Sequence, residues 1–557
     1  MTMKKITFIF LAVMSVFSGL QAQDIRKLSI DSDIINLDAG ETYKITPNTA
    51  GASYEIFKGV TSQGIFPYTK AINTIVGLKL NRATLTLGFE EPFILVSTIV
   101  PDQTVTYTSS DATVATVSST GLVTGKTAGT ATITATAGEQ TAVCEVTVKT
   151  LAERIADAAG TTATIIVYGN EEIPATISIN TDNSIITLTT ADNTERILKK
   201  TGVGNLLNIG AASVSAKVIL DGYVNVKGLA TMEYGGTDEE NNTASLINVA
   251  AGSELTLKGH AKVSGNAYVL SNPAGVNILG GGITAYGRLV VDEDAQISNN
   301  IVCCTKPYPT PWSADSRNGH ATWGGAVYVT GSGVMEIRGN AKISGNKSIN
   351  KGGNAIGGAI FPEGSTVYMY GGEISGNSTE ASHRASSGAV QLTSGRLIMV
   401  GGIIKDNTLK FGGAGTGVAC YANADKLFIS GSASIPAISG ERVSVLTDYT
   451  TITGITIRQD VGNTVHLDAN CRARVAGIPA GTAPVVTFDI KKTTTTRALG
   501  KYDPDTYALS DFTIEDPAPV DKFELGSYII TPSNYATFSL ETVTDKEIKP
   551  DGTVGAK

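Results

Sequence analysis

Proton transfer and cation binding both need charged side chains held within a few ångströms of one another, so closely spaced acids and bases come first. Three carboxylates are consecutive at Asp292, Glu293 and Asp294. A triplet on a turn offers oxygens to a hard cation, and a weak Ca²⁺ site could form here, although acidic turns are usually just solvated. Lys405 and Asp406 fall one repeat after Glu373 and could set a base beside carboxylates, on proximity alone. The four histidines, His260, His320, His383 and His466, have no HxxxH or HxH spacing, which argues against zinc. Neither a nucleophile elbow nor a phosphate-cradling glycine loop occurs. The expectation is a chain with no catalytic residue, metal or cofactor.

Recognition is the other chemistry on offer. One connection, about 23 residues long after Asn300, carries Tyr308 and Trp312 among Pro307, Pro309 and Pro311. Shorter connections of about 8 to 10 residues follow Asn346, Asn377 and Asn407, and hold Asn350 and Lys351, then His383 and Arg384, then Lys410 and Phe411. They occupy one slot of a repeat, so as loops they would project along one edge. Aromatic faces beside amides and cations suit a sugar or a protein ligand. The competing reading is that Trp312 and the prolines fold the insertion back on the body.

What would position those residues is a repeat. The segments GSELTLKGHAKVSGN, GRLVVDEDAQISNN, GVMEIRGNAKISGN, STVYMYGGEISGN and GRLIMVGGIIKDN align, with a sixth, degenerate copy at DKLFISGSASI. Val263, Ile297, Ile343, Ile374, Ile404 and Ile435 mark the register, at intervals of 34, 46, 31, 30 and 31 residues. A second phrase repeats in phase: GGAVYV, GGAIFP, SGAVQL and TGVACY. Two phrases in phase indicate a solenoid. Alternating pairs such as Leu255 and Leu257, or Met335 and Ile337, place apolar side chains on one face of each strand, and stacking turns that face into a core column. Asn266, Asn300, Asn346, Asn377 and Asn407 end successive copies. Stacked about 4.8 Å apart, their amides would bond one another as a structural ladder.

The stacked period with its ISGN and GGA phrases resembles the right-handed parallel β-helix of the pectin-lyase-like superfamily, over about 330 residues. That resemblance implies a fold and not an activity, since the fold carries lyases, hydrolases and adhesins. The motifs of its hydrolases do not match: there is no Asp-Asp pair, Gly319-His320-Ala321 stands where Gly-His-Gly would, and Ile457-Arg458-Gln459 does not supply Arg-Ile-Lys.

Upstream, residues 76 to 148 contain seven short apolar runs separated by turn residues, the pattern of a small sandwich. The stretch VTYTSSDATVATVSSTGLVTGKTAGTATITAT resembles the bacterial immunoglobulin-like group 2 domain, in Ser109-Ser110-Asp111, Val114 to Val117, Gly121 and Ala128-Gly129-Thr130. Tyr107 stands where that family usually has Trp. The resemblance implies a spacer on a surface protein and brings no catalytic residue.

At the amino terminus, Lys4 and Lys5 precede an apolar run from Ile6 to Leu20 and a small residue, Ala22: the pattern of a secretory signal peptide, too short to span a bilayer. No cysteine follows the cleavage point, so a lipid anchor is not expected. A net charge of −8 argues against nucleic acid. Five dispersed cysteines do not make a disulfide framework, and Cys144 and Cys471 read as small buried hydrophobes.

The expectation is therefore an all-β chain, a small Ig-like β-sandwich plus a right-handed parallel β-helix solenoid. Its parts are a signal peptide (1–22), an N-terminal β segment (23–73), an Ig-like domain (74–149), the β-helix (150–490), with Leu151 to Ala159 as a capping helix, and a C-terminal β cap or small domain with a mobile tail (491–557). Functionally it reads as an exported, adhesin-like protein, secreted or at the cell surface, whose partner is an extracellular glycan or a surface protein. The alternatives are a divergent polysaccharide lyase or glycoside hydrolase and a structural stalk.

Overall fold

The computed structural model describes residues 78–99, 103–229, 241–271, 277–305, 321–412, 426, 427 and 432–435 with side chains, and otherwise only the backbone of separate strands between residues 25 and 556. The chain forms two compact units, Met1–Leu151 and Ala152–Lys557.

In the first unit, Ile25–Ile30 pairs antiparallel with Asp33–Asn36 and with Ile72–Val76. Because Ile72–Val76 closes this N-terminal sheet, the segment runs a few residues beyond the expected boundary at 73. A sandwich follows. One sheet orders Thr106–Ser109, Gly129–Ala137, Gln140–Val148 and Thr84–Leu87, and the facing one Ala115–Val117, Leu122–Gly125 and Pro92–Ile94. Alternation sends Ala131, Ile133, Ala135, Cys144 and Val146 into one core, as period-2 patterning requires. The motif residues each have a local task. Asp111 Oδ1 accepts from the Thr113 amide at 2.9 Å and its hydroxyl at 2.6 Å, closing the turn after Ser109. Gly121 has φ +82° and sits where a Cβ would lie 2.3 Å from the Leu95 carbonyl. Tyr107 keeps its ring half-buried and donates its hydroxyl to that same carbonyl at 3.4 Å.

The second unit opens with the helix Leu151–Asp157, as expected, whose Arg154 donates to the Ile166 carbonyl at 3.1 Å. Beyond it, each coil from Thr162 to Lys405 contributes a strand to each of three parallel sheets. The front sheet begins at Thr162–Val167 and runs through Ser184–Thr190, Ala216–Leu220, Glu254–Leu257, Arg288–Val291, Val334–Ile337, Thr366–Met369 and Arg396–Met399. The base sheet runs from Glu171–Ile173 to Ile403–Lys405, and the rear sheet from Ile177–Ile179 past Val390–Leu392. Leu255, Leu289, Met335, Val367 and Leu397 are register partners on successive rungs, all fully buried. Each contributes ~1.5–3 kcal/mol of burial, and the column repeats that for every rung.

The parallel pairing does not stop at 490. Arg474 and Val475 pair with Gly500 and Lys501, Val486 pairs with Phe523, and Tyr528–Ile529 folds back antiparallel on Phe523–Leu525. Part of the expected C-terminal cap is thus a continuation of the solenoid ladder.

The second glycine of the GGA phrase has a steric cause. At Gly325 a Cβ would lie 2.2 Å from the Gly358 carbonyl, and at Gly358 the same distance from that of Gly388, so the column of close approaches admits no side chain.

Candidate functional site

Between residues 267 and 416 each coil carries two additional strands. The first flank sheet stacks Ala267–Leu270, Ile301–Cys304, Lys347–Asn350, Ser378–Ala381 and Thr408–Phe411, and the second stacks Ile278–Leu279, Ala321–Trp323, Asn354–Ile356, Arg384–Ser386 and Ala414–Thr416. The connections expected to be projecting loops are therefore, where described, pairs of short parallel strands joined by a tight turn. This corrects the reading of Asn350, Arg384, Lys410 and Phe411 as loop residues, since they lie in flank strands, whereas Lys351 and His383 lie in the turns between them.

Their places differ. Asn350 is buried, accepts from the Gly352 amide and donates to the Asn354 carbonyl, both at 3.0 Å, so its amide closes the turn between the flank strands. Phe411 is buried against Ala355, Ala381, Ala385 and Leu409. Lys410 pairs in register with the buried Glu380 and donates to it at 3.2 Å. Lys351 and His383 lie half-buried in the flank turns of adjacent rungs, with Arg384 exposed at the start of the strand that follows. Tyr308 and Trp312 lie outside the described residues.

The second flank sheet covers part of the rear sheet's outward face. Trp323 stacks on Phe361 at 4.7 Å and meets Tyr328 at 6.1 Å, and the buried Gln391 accepts from Ser386 at 2.8 Å. Burial pushes the Tyr328 hydroxyl's pKa up, and its hydrogen bond to Glu363 adds to that. This aromatic cluster is packing between sheets.

The asparagine ladder is present and buried. Asn300 Nδ2 donates to Asn346 Oδ1 at 3.1 Å, Asn346 Nδ2 to Asn377 at 2.9 Å, and Asn377 Nδ2 to Asn407 at 3.0 Å. Asn266 joins through its backbone amide at 3.2 Å, and Asn242, which the repeat spacing did not single out, donates to Asn266 at 3.0 Å.

The carboxylates are used between rungs. Glu293 accepts from the Gly259 amide at 2.7 Å, Asp292 from the Glu293 amide at 2.7 Å, and Asp294 from Asn340 at 3.2 Å, so the triplet ties its turn to both neighbours. Among the described residues no three His, Cys, Asp or Glu side chains are grouped to hold a metal ion. On the front sheet, Lys217, Glu254, Arg288 and Glu336 form a chain of ion pairs at 2.8, 2.8 and 2.7 Å that continues to Arg338. Lys405 pairs with Glu373 at 3.2 Å. The Glu373 carboxyl is held below its ordinary pKa by the Ser375 hydroxyl and then by Lys405.

Among the described residues no flank strand runs beside the rear sheet's first rungs, and a groove of about 390 Å³ lies on them. Ser178, Asn208 and Asn248 are register partners at the centres of successive strands, half-buried or exposed while their neighbours Leu207, Ile209, Ile247 and Val249 fill the core. The following turns supply a floor of alanines, and Tyr286, 41% exposed, forms a wall. Asn208 Oδ1 is shut off from solvent without a hydrogen-bond partner. The signal was present in the phrases LLNIGAAS (206–213) and LINVAAGS (246–253), earlier copies of the rear-sheet slot that GGAVYV fills.

Residues 96–148 match the bacterial Ig-like domain (group 2) family. The chain is also similar to an "Ig-like virion protein" of Serratia phage KSP90, 34% identical over 134 residues. That match takes in 23% of this chain and 50% of the phage protein, so the chain spans about half the length of this relative.

Proposed function

We propose that this is an exported protein, secreted or held at a cell surface, in which the Ig-like domain is a spacer and the β-helix a rigid body for recognising a glycan or a surface protein, without turnover. The observation that supports this reading is that described carboxylates of the solenoid are engaged in ion pairs and hydrogen bonds between rungs. Glu195, Glu254 and Glu373 are each held below the ordinary carboxylate range. Lys262 leads at Glu195; at Glu254 burial pushes upward but is outweighed by hydrogen bonds from Lys217, Arg288 and Thr256. A general acid that cleaves glycans needs the opposite shift. The apolar run from Ile6 to Leu20 supports export, and no helix of the described residues is long and apolar enough to cross a membrane.

The similarity to a phage virion protein favours a second reading, a structural component of an assembly. Incubating the purified chain with acidic and neutral polysaccharides, with and without Ca²⁺, separates either reading from catalysis. The expected result is no release of reducing or unsaturated ends; sustained release overturns the proposal.

A further inference from the structure

We infer that the groove on the first rungs of the rear sheet is a subsite for a neutral saccharide. This rests on the reading of the β-helix as a recognition body, and it places the ligand away from the flank turns. Three features of the groove converge. First, Asn208 lines the groove half-buried and its Oδ1 has no hydrogen-bond partner within the chain, so a flip of the terminal amide turns an unsatisfied acceptor toward a ligand hydroxyl. Asn248 stands one rung away in register, so two amides face the same space at the spacing of adjacent strands, about 4.8 Å. That is close to the separation of hydroxyls across one sugar ring.

Second, the groove has the shape and charge for a ring rather than an ion. Its volume of about 390 Å³ is lined by Ser, Asn, Gly, Ala and Tyr, with no charged side chain among the described residues. Gly210, at φ +75°, closes the turn at the floor, where a Cβ would meet the buried Ser253 hydroxyl at 1.9 Å. The alanines beyond it leave room above the strands. Third, Tyr286 is fixed in place while its side chain stays exposed: its amide donates to the Val249 carbonyl at 2.8 Å, and its carbonyl accepts from Ser332 at 3.3 Å. An exposed aromatic ring held by its backbone beside convergent amides offers a stacking face for the C–H surface of a pyranose.

The test is calorimetric titration of the full chain with hexaoses of β-1,4-glucan, β-1,3-glucan, β-1,4-xylan, β-1,4-mannan and α-1,4-glucan. At least one binds, and Asn208→Ala and Tyr286→Ala each weaken it by about tenfold or more, the worth of one well-placed contact. Ala211→Trp, at an exposed floor position, abolishes binding, and Lys342→Ala leaves it unchanged; thermal unfolding of each variant confirms that it folds. Binding that survives Ala211→Trp overturns the groove assignment and leaves the recognition reading standing. A panel that stays silent also overturns it, and attachment of the chain to intact cells then decides separately whether the recognition reading survives.

Discussion

Asn377 Oδ1 accepts two hydrogen bonds from Asn346, one from its side-chain amide at 2.9 Å and one from its backbone amide at 3.0 Å. The same pair of hydrogen bonds joins Asn300 to Asn346 and Asn377 to Asn407. Each inner asparagine thus satisfies both amides of the rung before it, in a turn buried from solvent. Replacing Asn377 by Ala strands the buried Asn346 backbone amide and removes the donor to the Ile343 carbonyl, at a cost of about 1–3 kcal/mol. Denaturant melts of N377A should show a loss of that order; a loss under a few tenths would mean that water or a shifted turn replaces the bonds.

Asn346→Asp keeps the acceptor but puts a carboxyl oxygen where an amide donated to Asn377 Oδ1 and to the carbonyls of Ile297 and Ser344. In the folded state the carboxyl must stay protonated to donate, so its folded pKa is raised above the unfolded one. Stability is therefore retained below the ordinary carboxylate range and falls as pH rises through the folded value. Melting temperature measured from acid to neutral pH should drop for this variant relative to the parent; parallel curves would contradict the ladder.

Gly358 admits no Cβ, because the Gly388 carbonyl would lie 2.2 Å away. G358A should destabilise the chain by about 1–3 kcal/mol through forced backbone movement. A substitution at Gly364, where a Cβ meets nothing within 4 Å but φ is +69°, separates overpacking from backbone strain. Equal losses at both positions would point to strain alone.

Lys200 is fully buried, and its ammonium donates to the Pro174 carbonyl at 2.7 Å. Burial lowers its pKa from the ordinary 10.5. The unfolded chain therefore binds this proton more tightly, and the group's contribution to stability rises with pH from the folded value up to the ordinary one. K200M lacks that alkaline-side rise, so the parent's melting temperature should gain on the variant's as pH increases through this window. A difference that stays constant would show that the amine does not titrate differently on folding.

The coils, their register columns and the Ig-like sandwich were legible in the sequence because apolar alternation recurs in phase over many copies. The flank sheets were not. Strands such as Ser378–Ala381 and Arg384–Ser386 carry small and polar residues with no alternation, and both faces of Ser378–Ala381 are buried, so a period-2 search reads them as loops. That misplaced Asn350 and Phe411, which the flank strands turn inward. The groove was missed for a related reason: Asn208 and Asn248 lie in strands only three residues long, and their meaning comes from stacking across rungs 40 residues apart.

The central claim is recognition without turnover, and one calorimetric titration of the full chain with saccharide tests it most directly, because binding and catalysis differ in the form of the heat. The account predicts a saturable isotherm whose baseline returns after every injection. A displaced baseline that persists while substrate remains, the heat of continuing bond cleavage, would contradict it.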